Sequence, residues 1–301
     1  MVHVFIVNPE HTAPDFYNEL RDRLSRIPDL TYYVFTTGVA GDETELARTV
    51  ESIFEGEQLR IYSCGNTTSA RNILDGLSDI GRVELAIVPY KQVQYLSAIS
   101  DIDRFKDIES LIEGRVIHVD YLRTNHGVAL NSAAFGLDAY MCKVYESIDS
   151  LRILGRAIPG IVASIYSLIT CPNIIFSIEY KGMNPIRKAT SVYIGNVPVV
   201  YRKMRYSENN DITDGEATLN CIYRPEFFTR FRYYFKLIRN IPATYSEKHY
   251  LNCQIDSVRI RHINGVPLLC SLDNKLVSAS DWKIEVVKQG LRLVVPREVS
   301  Q

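Results

Sequence analysis

The chain has 301 residues, a formal net charge of −1 and six scattered cysteines, Cys64, Cys142, Cys171, Cys221, Cys253 and Cys270. Its length points to two domains, and its charge balance gives no basic footprint for nucleic acid. With no CxxC pair and no histidine grouping, the cysteines read as reduced, mostly buried thiols of a cytoplasmic protein, not a zinc site.

The N-terminus runs Met1-Val2-His3-Val4-Phe5-Ile6-Val7 straight into a strand pattern, with no signal-peptide pattern. That strand ends in Asn8-Pro9, and 15–27 has helical spacing. A strand over 32–35 ends at Thr36-Thr37, and Asp42 with Glu45 reads as a capping-box start to a helix over 43–54. Residues 59–62 form a third strand, followed by a small-residue turn from Ser63 to Thr67 and a helix from about Thr68. A fourth strand over 83–88 is stopped by Pro89.

Alternation of apolar strands with helices implies a doubly wound parallel sheet covered on both faces. Ligands bind such sheets outside the carboxyl ends of the strands. Asn8-Pro9, Thr36-Thr37, Gly65-Asn66-Thr67-Thr68 and Pro89-Tyr90-Lys91-Gln92 all fall there. A helix start after a small-residue turn also offers unpaired amides to an anion. The same joint occurs without a ligand throughout α/β proteins, and both readings stand. The most apolar segment, 157–171, is shorter than a membrane span, carries Pro159 and Gly160, and reads as a core helix.

From about 122 the sequence turns strand-rich, with candidate strands over 173–180, 189–194, 197–201, 217–223, 252–262, 266–272 and 276–278. Val258, Ile260 and His262 alternate with Arg259 and Arg261, and an antiparallel β-sandwich is expected. Drawn as a helix, 225–240 places Phe227, Phe231, Tyr234 and Ile238 on one face with Phe228 and Phe235 beside it. Arg232, Lys236 and Arg239 form a basic stripe; contact with an anionic lipid surface and docking on the sandwich both suit that pattern.

Val7-Asn8-Pro9, Thr36-Thr37 and Gly41-Asp42-Glu43-Thr44-Glu45-Leu46-Ala47-Arg48 resemble the start of the diacylglycerol kinase catalytic domain of bacterial lipid kinases. Sphingosine kinases share that fold, and NAD kinases are more distant relatives. Where the family carries Gly-Gly-Asp-Gly-Thr around nucleotide phosphates, this chain has Cys64-Gly65-Asn66-Thr67-Thr68. The family's Pro-x-Gly-Thr-x-Asn falls on Pro89-Tyr90-Lys91-Gln92-Val93-Gln94, with the proline alone retained. Its Asn-Pro-Ser-Gly becomes Asn8-Pro9 followed by Glu10-His11-Thr12. Gly127-Val128-Ala129-Leu130-Asn131, leading to Ala133-Ala134-Phe135-Gly136-Leu137-Asp138-Ala139-Tyr140, resembles the family strand carrying Asn and then Gly-Phe-Asp-Ala. The stretch from Asn209 to Thr218 resembles the Asp-Asp-Gly-x-Leu-Asp loop, with Asp214-Gly215 kept and the closing aspartate replaced by Thr218. Asp273-Asn274-Lys275 falls on the family's Asp-Gly-Glu.

The resemblance implies an α/β domain over 1–121, a β-sandwich domain over 122–282 and a tail, 283–301, returning to the first domain. It implies ATP held by Asn8, Pro9, Thr37, Gly65, Asn66, Thr67, Thr68 and Lys91, and Mg²⁺ near Asp211 and Asp214. Asp273 would be the general base that takes a proton from a lipid hydroxyl. The departures have physical consequences. Thr67 is β-branched and unsuited to positive φ. Asn66 lacks the charge that organises Mg²⁺, and Lys91 is either a compensating cation or a solvated loop residue. Two functions follow: an ATP-dependent lipid kinase acting in an interdomain cleft, or a catalytically degenerate member that binds nucleotide, lipid or a protein partner without phosphoryl transfer. The expected partners are a nucleotide, a lipid substrate or membrane surface, and a second copy in a homodimer. The expected location is the cytoplasm, extending to the inner membrane face.

Overall fold

The computed structural model describes residues 1–39, 41–90, 93–154, 158–197, 199–201, 204–205, 210–223, 227–238 and 250–297. The chain divides into an N-terminal unit, residues 1–121 with 288–301, and a C-terminal unit, residues 122–287.

In the N-terminal unit the strands are β1 (Val2–Val7), β2 (Tyr32–Thr36), β3 (Leu59–Gly65), β4 (Glu84–Pro89) and the start of β5 (Arg115–Thr124). The helices are α1 (Phe16–Ser25), α2 (Asp42–Ile53), α3 (Thr67–Gly76), α4 (Gln94–Ser97) and α5 (Ile108–Ile112). Every residue of β1, β3 and β4 is buried, as expected for parallel strands covered on both faces. Strand β2, half exposed, is the edge. The order is β4-β3-β1-β2, all parallel.

The helices pack through spaced apolar positions, such as Leu20 and Leu24 of α1 and Ala47 and Val50 of α2. Gly76 lets α3 lie flush on α2, because a Cβ there would sit 2.2 Å from the Thr44 carbonyl oxygen. The start of α2 differs from the capping-box expectation. Gly41, at φ 95°, holds the cap position, and the Asp42 carboxylate turns back to accept from the Gly38 and Val39 amides. A carboxylate that can reach two amides of the preceding turn has no need to cap its own helix.

His3 of β1 is buried, stacks on Tyr62 of β3 and bonds its hydroxyl through Nδ1 at 2.8 Å. Burial, reinforced by Arg60, lowers its pKa from 6.5 to about 4. The unfolded chain therefore takes up this proton below pH 6.5 while the folded one refuses it until about pH 4. Stability is full above that window and falls through it by at most about 1.4 kcal/mol per pH unit. Urea midpoints at pH 7 and pH 5 should separate for the parent protein, and part of the gap should close in His3→Gln. An unchanged gap would clear His3 of the effect.

The C-terminal unit begins with the end of β5, β6 (Gly127–Ala129) and β7 (Ser132–Gly136), then α6 (Leu137–Ser147) and α7 (Ile158–Thr170). It continues with β8 (Ile174–Glu179), β9 (Ile186–Gly195), the small ribbon β10 (Val199–Tyr201) and β11 (Met204–Arg205), β12 (Ala217–Tyr223) and α8 (Phe227–Ile238). Strands β13 (Tyr250–Ile255), β14 (Ser257–His262), β15 (Leu268–Leu272), β16 (Lys275–Ala279) and β17 (Asp281–Val295) follow.

Pairing in this unit is antiparallel, and β9 is its branch point. The first half of β9 pairs with β8; its second half pairs with β7 on one side and β12 on the other. One arm runs β8-β14-β17, the other β7-β15-β16 with β12-β13. Both arms close on one core, where Phe135 of β7 meets Phe176 of β8 and Trp282 of β17 edge-on. Antiparallel strands around a shared core form the antiparallel β architecture that the alternation implies. The stretch expected as one strand over 252–262 is two, broken at Asp256, and its halves pair with different partners. Strand β17 leaves this unit and ends in the first, where Arg292 and Leu293 pair in parallel with Glu84 and Leu85 of β4.

The segment expected to be a core helix is α7, and only one side of it is buried. Pro159, Ala163, Ser164, Ser167 and Leu168 are covered, while Ile161, Val162, Ile165, Tyr166 and Ile169 are exposed. An apolar run announces a buried helix but does not say how much of its circumference the fold covers.

Candidate functional site

The parallel register aligns the strand ends of the N-terminal unit. Val7 lies beside both Thr36 and Cys64, and Gly65 lies beside Pro89. One further rung of hydrogen bonds follows: Asn8 N to Cys64 O at 3.1 Å, Thr37 N to Val7 O at 3.0 Å and Tyr90 N to Gly65 O at 3.1 Å. Asn8, Thr37, Gly65 and Tyr90 thus stand in a row on the carboxyl edge of the sheet. Pro9 opens a short 3₁₀ turn whose Glu10 amide is capped by Asn8 Oδ1 at 3.0 Å. Lys91 lies outside the described residues.

Between β3 and α3 there is a single residue, Asn66. Its Oδ1 accepts from Ser69 N at 3.0 Å, which makes it the helix cap and occupies one of the first-turn amides. A Cβ on Gly65 would sit 2.7 Å from Ser69 Oγ and 3.6 Å from the His11 Cβ, so the space over the glycine is filled by side chains. Thr67 is buried as the first helical residue, and Thr68 is half exposed. Burial pushes the Cys64 thiol far above its ordinary range, so it is no thiolate nucleophile.

Asn8 faces a residue that the motif reading did not single out. Its Nδ2 donates to Glu43 Oε1 at 2.6 Å, and Asn72 Nδ2 donates to Glu43 Oε2 at 3.0 Å. Glu43 is 1% exposed. Arg71, also buried, reaches Asn72 Oδ1 and the Asp75 carboxylate. A buried carboxylate therefore occupies the polar side of Asn8. Its sequence signal was a charged residue at the helix position that shares a face with Ala47 and Val50, where an apolar one was due.

In the C-terminal unit Asp273 and Asn274 form the two-residue turn of the β15–β16 hairpin, at φ 46° and 73°. Asp273 is 3% exposed. Its carboxylate accepts from three successive amides, Leu130 N at 2.5 Å, Asn131 N at 2.9 Å and Ser132 N at 3.0 Å. Asn196 holds the same segment from its carbonyl side, through Leu130 O and Asn131 O. Asp211 and Asp214 are exposed and close local turns, on Thr213 N and Glu216 N respectively. Asn209, which begins that motif, lies outside the described residues. Among the described residues no group of three or more metal-ligating side chains converges. A cleft of about 730 Å³ in this unit is lined by Arg123, Glu179, Lys181, Arg259, Lys283 and Glu285, away from Asp273. Four of its charges are paired: Arg123 with Glu285, Arg259 with Asp281 at 2.7 Å and Glu179 with Arg261.

No family model matches this sequence, and no curated protein matches it. Solved structures do. The crystal structure of a diacylglycerol kinase from Bacillus anthracis str. Sterne superposes with a TM-score of 0.67 at 17% identity, covering 97% of this chain and 96% of that one. Two further structures from that organism, described as candidate diacylglycerol kinases, give TM-scores of 0.68 and 0.72 at 17% and 16% identity, with the same coverage. At such identity the likeness speaks for architecture, and over nearly its whole length this chain has the diacylglycerol kinase fold.

Proposed function

We propose that this protein is a non-transferring member of the diacylglycerol kinase fold, a cytoplasmic binding protein in which the phosphate turn has become a packed strand-to-helix joint. The joint itself carries this reading. It is one residue long, Asn66 caps the helix, and Ser69 fills the space over Gly65. Phosphoryl transfer rests on positioning and charge neutralisation. A closed turn weakens the first, and Glu43 against Asn8 works against the second. The residues at the joint do not fit Mg-ATP gripped in the family's manner.

The second reading is the ATP-dependent lipid kinase. It is supported by the row of Asn8, Thr37, Gly65 and Tyr90 on the sheet edge where ligands of this class bind. In that reading Pro9, Asn66, Thr67, Thr68 and Lys91 would complete the nucleotide contacts. Asp211 and Asp214 would hold a structural cation, and Asp273 would be the base. Calorimetric titration with Mg-ATP, followed by label transfer to a lipid panel headed by diacylglycerol, separates the two. The expected result is no saturable binding up to millimolar nucleotide and no labelled lipid. Saturable binding with transfer would overturn the non-transferring reading.

A further inference from the structure

Helices α7 and α8 adjoin one another on the C-terminal unit. Leu168 of α7 packs with Leu137 of α6 and Cys171, and Phe231 of α8 rests on that cluster. Arg230 fastens α8 in place: its Nη1 donates to the Cys171 carbonyl beyond the end of α7, and its Nη2 donates to Asn173 Oδ1 at 2.7 Å. The orientation of α8 is therefore set by a buried cation, which leaves its remaining described face outward.

What faces outward is apolar. On α7 Ile161, Val162, Ile165, Tyr166 and Ile169 are between 38% and 56% exposed. Their spacing forms one stripe along the helix. On α8 Phe227 is 49%, Phe228 80% and Phe235 58% exposed. Single exposed apolar side chains are ordinary, but eight on two adjoining helices make a patch that needs a partner.

Charge selects the partner. Helix α7 contains no charged residue, and α8 contains Arg230, Arg232 and Lys236 with no acid. Arg232 is exposed beside the phenylalanines. Two copies of this face would bring cation to cation, with no acid on either helix to answer it. An anionic bilayer offers both an acyl boundary for the aromatic and aliphatic stripe and phosphates for the cation. Among the described residues no helix is long and apolar enough to cross a membrane.

We propose that α7 and α8 together form a docking face for an anionic lipid surface, with the Ile161–Ile169 stripe and Phe227, Phe228 and Phe235 entering the acyl boundary and Arg232 meeting headgroup phosphates. The face is independent of whether phosphoryl transfer occurs. The test is flotation of the full chain with vesicles of phosphatidylcholine alone, and with vesicles in which part of it is replaced by phosphatidylglycerol. The parent protein should float with the anionic vesicles and bind neutral ones about fivefold more weakly. Ile165→Ser with Phe228→Ser should lower anionic binding by about tenfold or more, with circular dichroism and melting unchanged because both side chains are exposed. Arg232→Glu alone should weaken anionic binding and leave neutral binding unaltered. Failure to float, equal binding to both vesicle types, or a dimer in sedimentation that the double variant dissolves would each overturn the proposal.

Discussion

Asp273→Ala should destabilise the C-terminal unit by about 3–6 kcal/mol, a large part of a typical domain's stability. The reason is the three-amide clamp. With the carboxylate gone, the amides of Leu130, Asn131 and Ser132 are left in a buried place without that acceptor. Each orphaned donor costs about 1–3 kcal/mol. Asp273→Asn should cost less but still measurably, about 1–3 kcal/mol, because Oδ1 can still accept from Asn131 and Ser132 while Nδ2 points a donor at the Leu130 amide. Denaturant unfolding followed by the signal of Trp282, which lies in the same core, measures the loss. A base whose role is purely chemical predicts the opposite: Asp273→Asn folded at parental stability. A loss below about 1 kcal/mol would mean the clamp contributes little. The same numbers guard any kinase assay, because an inactive Asp273 variant that is also unfolded says nothing about catalysis.

Gly136→Ala should cost about 3–6 kcal/mol, from two causes that add at one atom. Gly136 sits at φ 73° and ψ −125°, at the corner where β7 turns into α6. An added Cβ would lie 2.1 Å from the Thr190 carbonyl oxygen and 2.9 Å from its carbon, both backbone atoms of β9. Neither can swing aside as a side chain could. The control is Gly182→Ala, at φ 74° with nothing within 4 Å of the new atom. That change should show the backbone strain alone, about 1–2 kcal/mol. Equal losses at the two positions would show that strain, not collision, governs Gly136.

The alternation of strands and helices and the antiparallel second half are legible in the sequence, because each rests on a local period, whereas the returning tail is implied by the family resemblance alone. Less legible is what depends on distant partners. The Asp273-Asn274 pair reads as a hairpin turn, but the amides that hold its carboxylate lie about 140 residues earlier in the chain. The break at Asp256 had a signal: the apolar phase shifts from Cys253 and Ile255 to Val258 and Ile260, which one continuous strand cannot satisfy. Glu43 also gave one, a charge on the inward face of α2, yet nothing local identifies Asn8 as its partner. The exposed side of α7 left no trace, since Ile158–Thr170 is apolar nearly all round and its covered arc is set by α6 and α8.

The returning strand has a consequence for how the protein is made. Residues 1–121 leave the ribosome first, but β4 acquires its neighbour only when Arg292 and Leu293 arrive. Until then an edge of the sheet is open, and Glu84, whose carboxylate lies between Arg60 and Arg292, has one of those two cations missing. The pairing spans 208 residues, a loop that is slow to close and that leaves an unpaired edge available to other chains in the interval. The unit synthesised first is the last to be completed.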